Sequence, residues 1–412
     1  MSALEQVSHP PHGGASGYAD ADQPLVARAS ALIPALRARA KETDALSKLP
    51  DATIKELNDA RLMELLTPRR YGGLQTNIAT YKAVCAEIGR GCGSAAWVVA
   101  LTNICNWLAA TLYPQQVTDE IFSRPGGVRG CGVLPPRKAK VRKVKGGFHI
   151  DEGLWGFNSG VYHANLDMLG IPVVDDDGKV LDEGLAIVPM EKVEILNDWD
   201  TIGLRGSGSS SVAVHDCFVP ADRVASLPRA IQGIYASQHL RDQQLYRLPF
   251  IPFLSILLTF PQLGAGRGAL DVFLEKVKTR GIQYTFYDKQ AEAPVTHLQV
   301  AEASSKLDAA EAIIDRAIER IEDAAARGGD TMEFNARAKV RSDAGTASQL
   351  IWEAVDTLAS GSGGSFAASN NLVNRYWRDV RVAGLHGVLC TTTSWELYGR
   401  LLCGQEANTP LV

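Results

Sequence analysis

The sequence predicts an α+β chain: a helical section, a β section, then a bundle of long helices. Three observations carry that prediction. Apolar residues recur at helical spacing through residues 25–125 and again through 231–412, as in helices that keep one face in a core. Between them, residues 126–230 hold short runs rich in Val, Ile and Phe, separated by turn signals, which is the pattern of antiparallel strands. Helical patterns do not alternate with those strands, so a doubly wound parallel sheet is excluded.

Residues 1–24 read as a disordered arm. Leu25, Ala29, Leu32 and Leu36 then share a helical stripe, with Pro34 placed to kink it. Asp51 is positioned as the N-cap of the next helix, which ends before the Pro-Arg-Arg-Tyr-Gly-Gly turn at 68–73. A longer helix from Thr76 breaks at Gly91-Cys92-Gly93, and 95–112 is almost wholly apolar, as in a helix buried on most sides. Within the β section, Lys145-Gly146-Gly147 and Asp175-Asp176-Asp177-Gly178 are turns, and 171–174, 185–189 and 212–219 have strand character. In the last section, 301–327 turns Leu307, Ile314, Ile318 and Ile321 inward and Glu311, Asp315, Glu319 and Asp323 outward. The next helix, 335–358, turns Val340, Ala344, Ala347, Ile351 and Val355 inward and stops at Gly361-Ser362-Gly363-Gly364. Long antiparallel helices of this kind form a bundle whose remaining apolar faces invite oligomerisation.

The 412 residues carry a net charge of −4 with the signs well mixed, so no basic face marks a partner for nucleic acid or an anionic membrane. No uninterrupted apolar run reaches the ~18 residues of a membrane span, and the start lacks the charged and apolar regions of a secretory signal. The seven cysteines (Cys85, Cys92, Cys105, Cys131, Cys217, Cys390, Cys403) form no CxxC pairs. That spacing suits reduced thiols in a cytoplasmic protein rather than a disulfide framework or a zinc site. The histidines are too dispersed for a metal cluster; no metal is expected.

Four segments carry polar groups in unusual settings. In 153–165 an aromatic-rich strand ends in Asn-Ser-Gly and then His163, which makes it either a site strand or a β edge with a turn. In 198–220 an Arg-Gly-Ser-Gly-Ser loop offers backbone N–H groups and hydroxyls to a phosphate or a ring edge, without the GK[ST] ending of a P-loop. The glycines of 361–364 are a helix stop or a place where a ligand approaches backbone. The run Arg-Asp-Val-Arg-Val-Ala-Gly-Leu-His-Gly at 378–387 ends in His386. Histidine suits proton handling near neutral pH, unless His386 is simply a residue of the helix surface.

In these residues the chain resembles the acyl-CoA dehydrogenase fold superfamily. The order of sections is the same. So are the phrase running from Trp199 through Gly203-Leu204-Arg205-Gly206-Ser207-Gly208-Ser209 to Asp216 and Phe218-Val219-Pro220, and the late pair Arg378-Asp379. Finer motifs are similar to its two-component (group D) flavin-dependent monooxygenases, such as the oxygenase of 4-hydroxyphenylacetate 3-hydroxylase. These are the GxxSG…HA strand from Gly156 to Ala164, GCGSxxW from Gly91 to Trp97, His386 after the Arg-Asp pair, and YGRxLxG from Tyr398 to Gly404. Many dehydrogenases of the superfamily place a catalytic glutamate shortly after the Arg-Asp pair. Here that stretch is Leu385-His386-Gly387, and Glu396 lies ten residues further on.

The resemblance implies a fold with an N-terminal helical domain, a central β domain and a C-terminal helical bundle. It further implies reduced flavin (FMNH2 or FADH2), delivered by a separate NAD(P)H-dependent flavin reductase and bound between the β domain and the bundle. Dioxygen would add at flavin C4a, and the resulting (hydro)peroxide would hydroxylate a small aromatic substrate, phenolic or polycyclic. Ser159 matches the serine near flavin N5, and His386 the histidine that helps ionise a phenol. Trp155, Phe157 and Asn158 would flank the isoalloxazine, while Arg205, Ser207 and Ser209 hold the flavin's polar parts. Arg280 corresponds to an arginine that reaches a neighbouring subunit's flavin, and Gly361, Gly363 and Gly364 to a backbone approach; a surface arginine and a helix stop explain these equally. Trp97, Cys105, Asn106 and His163 would line the substrate pocket, His163 alternatively being structural, with Tyr246, Phe250 and Phe253 covering it. Several phenol hydroxylases of the branch carry a substrate-touching histidine where Cys105 or Asn106 stands. A larger polycyclic or heteroaromatic substrate therefore fits better than a simple hydroxyphenyl acid. A homotetramer is implied. Alternatives are a dehydrogenase acting on a CoA thioester, an N- or S-oxygenating member of the branch, and a non-catalytic scaffold.

Overall fold

The structure is a computed structural model and describes residues 20–328 and 332–412. The Asp22 side chain accepts the Leu25 amide and starts α1 (Gln23–Ala31), so the helix begins inside the expected arm, whose residues 1–19 lie outside the described part. Pro34 falls in the first turn of α2 (Ile33–Ala38), and α3 (Ala40–Leu46) follows; the expected kink is a full break into short helices. Pro50, not Asp51, is the cap residue of α4 (Asp51–Asp59), so Asp51 contributes its charge to the first turn rather than a capping hydrogen bond. Asn77 caps α5 (Ile78–Gly91). Cys92 then stands extended, its Sγ accepting the Ala95 amide at the start of α6 (Gly93–Leu112), and α7 (Gln115–Phe122) closes the section. By length and composition α6 is able to cross a membrane, contrary to the reading from uninterrupted runs, but 94% of it is buried inside the protein. It is the core helix.

Eight strands follow: β1 (Gly130–Val133), β2 (Lys138–Val144), β3 (Gly147–Trp155), β4 (Leu166–Val174), β5 (Val180–Val188), β6 (Val193–Ile195), β7 (Val212–Pro220) and β8 (Val224–Ser226). They make two four-stranded sheets, ordered β1-β4-β5-β8 and β2-β3-β7-β6. One pairing departs from the antiparallel expectation: β1 runs parallel to β4, with Gly130 opposite Leu166. Alternate residues of the sheets, among them Ile150, Trp155, Leu169, Ile171, Val212 and Val214, form a core of their own.

The last section contains α8 (Leu227–Ile231), α9 (Phe250–Ile256), α10 (Thr259–Val277), α11 (Pro294–Ala326), α12 (Phe334–Gly361), α13 (Leu372–Ala383) and α14 (Thr391–Leu402). The predicted inward stripes of α11 and α12 are buried. Glu311 is not outward as expected: it accepts from Lys82 of α5 and Arg267 of α10. At the crossing of α5 and α10, a Cβ on Gly264 would lie 2.1 Å from the Ala86 carbonyl oxygen, so only glycine allows that approach.

The three sections lock together at α13. Buried Arg375 donates from Nε to Asp44 Oδ1 at 2.9 Å and from Nη2 to Cys92 Sγ at 3.3 Å. Asp379 Oδ1 accepts the Leu204 amide at 2.6 Å, and Leu204 is held in the left-handed region at φ 49°. Gly203 lies so close to α13 that a Cβ there would sit 2.1 Å from the Arg378 carbonyl oxygen.

Candidate active site

The first turns of α6, the segment after β3, the 198–209 loop and the end of α13 converge around Trp97. Its indole Nε1–H donates to Ser159 Oγ at 3.2 Å. Its ring also packs on His386, with centroids 6.0 Å apart and planes at 60°. Ser159 Oγ lies 2.6 Å from Ser209 Oγ, which lies 2.7 Å from Ser207 Oγ. Backbone bonds fix the loop: Asn158 N donates to Ser210 O at 3.2 Å and Gly160 N to Ser207 O at 2.9 Å. Asn158 Nδ2 also donates to Asp167 Oδ2 at 2.7 Å. Asp167 is fully buried at the start of β4, and desolvation pushes its pKa up to about 6.

His386 stands just beyond α13, in a turn whose surface is open to solvent. Its Nδ1 accepts the Val388 amide at 3.4 Å, which leaves the proton on Nε2. Protein crowded around the ring and the nearby Arg341 charge lower its pKa. The lowered pKa leaves His386 neutral at pH 7. A neutral imidazole with Nε2–H outward is a hydrogen-bond donor, suited to steadying a phenolate oxygen rather than taking a proton.

Phe157 adds an aromatic face. It is 66% exposed and adopts φ 65°, a strained conformation for a bulky residue and one typical of binding sites. Arg137 lies over its ring at 5.4 Å, and Trp199 meets it edge-on at 6.0 Å. A flat aromatic face beside a hydroxyl donor fits an isoalloxazine, whose faces are apolar and whose edge carries acceptors. Sequence reasoning missed Arg137, which two prolines (Pro135, Pro136) set between β1 and β2. It used Trp199 only as a motif landmark.

Comparison with known proteins completes the picture. The N-terminal domain of acyl-CoA dehydrogenases matches residues 30–115, and their C-terminal domain residues 256–390. HsaA, a flavin-dependent monooxygenase oxygenase subunit of Rhodococcus jostii (strain RHA1), is 31% identical over 373 residues, covering 90% of this chain and 96% of that one. The chain belongs to the flavin-dependent monooxygenase oxygenase subunits of the acyl-CoA dehydrogenase fold. The oxygenase component of an FADH2-dependent resorcinol hydroxylase from Rhizobium sp. (strain MTP-10005) is 26% identical over 385 residues, covering 92% of each chain. The structure of XiaF from Streptomyces sp., in complex with FADH2 and glycerol, has a TM-score of 0.87 at 29% identity, covering 94% of this chain and 97% of that one.

Within this oxygenase subunit several expected site residues do other work. Trp155 points into the β core and donates Nε1–H to Gly170 O at 2.8 Å, so it does not flank a ligand on the open face. Arg205 spends its donors on Asp44 O, Ser47 Oγ, Thr201 O and Asp200, tying the loop to α3. Arg280 bonds Gln290, Ser365 and the carbonyls of Gly361 and Ser362 in its own bundle. Gly361 makes room for Phe273 and Gln299, whereas Gly363 and Gly364 border open space.

The expected pocket divides in the same way. Cys105 packs against Gly130, and Asn106 bridges Met63 O, Thr67 Oγ1, Val128 O and Gly130 N; both hold α6 to β1. His163 is mostly buried, its pKa lowered to about 4 by desolvation. Its carbonyl accepts from Arg129 and the ring has a backbone hydrogen bond at Leu49, which tie it to its surroundings, while its buried Nε2 has no partner among the described residues. Tyr246 donates to Leu66 O at 3.2 Å, Phe253 stacks edge-on against Trp107 and Tyr81, and Phe250 is fully buried. These three are core residues: the 241–253 segment opens on exposed Arg241, Asp242 and Gln244, and its apolar residues from Tyr246 on are buried. Trp97 lines a narrow seam with Gly93, Leu204, Gln262 and Asp379. Among the described residues, no group of three His, Cys, Asp or Glu side chains is placed to hold a metal.

Proposed function

We propose that this chain is the oxygenase component of a two-component system that hydroxylates an aromatic substrate, phenolic or polycyclic, with reduced flavin from a separate NAD(P)H-dependent reductase. The observation that carries this reading is Trp97 touching both Ser159 and His386 beside the open aromatic face of Phe157. Bound reduced flavin would activate dioxygen and deliver one oxygen atom; the protein supplies binding, orientation and electrostatics. Phe157 and Trp199 offer the ring an apolar face, Ser159 donates a hydrogen bond to its edge, and His386 donates Nε2–H to the substrate oxygen. Leu385-His386-Gly387 carries no carboxylate, so the α-proton abstraction of a thioester dehydrogenase lacks its base at this position.

The protein acts as a homotetramer in this reading, supported by exposed apolar residues on the outer bundle: Val295 and Leu298 of α11, Trp395 and Leu402 of α14. Its compartment is the cytoplasm, supported by seven unpaired cysteines. The test supplies the protein with FAD or FMN, a flavin reductase, NAD(P)H and 18O2, together with a panel of phenols and polycyclic phenols. One 18O atom in a hydroxylated product supports the reading. Hydrogen peroxide as the sole oxygen product across the panel refutes it.

A further inference from the structure

We infer that Ser209 and Trp97 are positioning residues that fill both lone pairs of Ser159 and so force its O–H to point outward as a donor. The inference rests on the proposed role of Ser159 toward the flavin edge. An indole Nε1–H only donates, so Ser159 Oγ is the acceptor in its 3.2 Å contact with Trp97. The serine contacts admit three arrangements of protons, and burial separates them. Ser207 retains 1% of its surface, Ser209 4% and Ser159 8%, so the chain of hydroxyls runs from the interior toward the open side.

If Ser159 donates to Ser209 and Ser209 to Ser207, the proton of Ser207 has no acceptor in the interior. Among the described residues Ser209 is the one hydrogen-bond partner of that hydroxyl. If Ser159 and Ser207 both donate to Ser209, the buried Ser209 proton is stranded instead. Each of these strands a buried donor, which is costly. Only the outward order, Ser207 to Ser209 to Ser159, places every interior proton on an acceptor. Ser159 then accepts from both Ser209 and Trp97, and its own proton is left for whatever lies on the open side. A donor fixed in this way needs no reorientation when an acceptor arrives, and hydroxyls in series strengthen one another.

The experiment compares Ser159→Ala, Ser209→Ala, Ser209→Thr and Trp97→Phe by two readouts. In flavin-free protein carrying 15N-labelled indoles, Trp97→Phe assigns the Trp97 Nε1–H resonance. Ser159→Ala should shift it upfield, and Ser209→Ala should leave it bonded. In the protein loaded with reduced flavin, the delay between mixing with oxygen and the return of oxidised-flavin absorbance is then timed. Ser159→Ala should shorten that delay. Ser209→Ala and Trp97→Phe should each shorten it about three- to tenfold, the scale of one lost hydrogen bond. Ser209→Thr, which keeps the hydroxyl but adds bulk, should restore most of it. If Ser159→Ala shortens the delay while Ser209→Ala and Trp97→Phe leave it unchanged, the inference fails and the flavin reading stands. If Ser209→Thr is worse than Ser209→Ala, packing rather than the hydroxyl matters, and the inference again fails. If no variant alters the delay, including Ser159→Ala, the reading of Ser159 itself is wrong.

Discussion

Replacing Asp167 with asparagine should stabilise the protein at high pH and do little at low pH. Asp167 is buried behind the Ser159 loop and accepts from Asn158 Nδ2 at 2.7 Å. Burial raises its pKa from 3.8 to about 6, outweighing the hydrogen bonds that favour the ionised form. The groups around it, Asn158, Cys131, Cys105 and the Met168 amide, bring no positive charge; both thiols are themselves pushed up by burial and stay neutral in this range. A carboxylate whose folded pKa lies above its unfolded one favours folding at low pH, and that advantage is lost as pH rises from 3.8 through about 6. Raising the pKa from 3.8 to about 6 costs about 3 kcal/mol at pH 8, where the buried carboxylate is ionised, and about 1 kcal/mol at pH 4.5, where folding takes up a proton. An asparagine carries no such cost and can still accept from Asn158. Urea unfolding of both proteins at pH 4.5 and pH 8 should therefore show the variant gaining about 2 kcal/mol on the parent between the two. A gap independent of pH would refute the reasoning.

Three further outcomes are expected. Arg375→Ala should lower unfolding free energy by roughly 3 kcal/mol in denaturant titrations, because it removes the buried cation facing Asp379 and leaves Asp44 with Arg378 alone; a loss below about 1 kcal/mol would show the buried cation to be dispensable. Phe157→Gly should be more stable than Phe157→Ala by about 1 kcal/mol, reversing the usual order, since φ 65° suits glycine. Both should weaken flavin binding in a fluorescence titration, and unaltered affinity would remove Phe157 from the site. By proton NMR, His386 should titrate below its unperturbed value of about 6.5, because the surrounding protein and Arg341 disfavour the charged ring; a midpoint at or above that value would contradict the assignment of a neutral donor.

Much of the fold was legible because periodicity reports burial. The stripes of α11 and α12, the break at Cys92 and the β section all follow from spacing and turn residues. The parallel β1–β4 pair was not legible, since alternation along a strand does not reveal its partner's direction. Among site residues, Ser159, His386 and Trp97 were each singled out by motif, but the contacts that join the tryptophan to the other two were not legible, since it lies some sixty residues before one and far before the other. Trp155 and Phe157 show the limit most clearly. They are two residues apart, so in a regular strand they would share a face. The left-handed turn at Phe157 instead sends one ring into the sandwich core and the other into solvent. The resemblance assigned Arg205 to the flavin and Arg280 to a neighbouring subunit's flavin or the surface, and only the fold shows the carbonyls, hydroxyls, carboxylate and carboxamide they bond within this chain.

The central claim is that Ser159 serves a reduced flavin that reacts with oxygen in a protected site. Anaerobic protein with reduced FAD or FMN, mixed rapidly with oxygenated buffer and followed by absorbance, tests it most directly. A delay before oxidised flavin returns, longer than for free reduced flavin and shortened in Ser159→Ala, is the predicted result. Reoxidation at the rate of free flavin in the parent protein would contradict it.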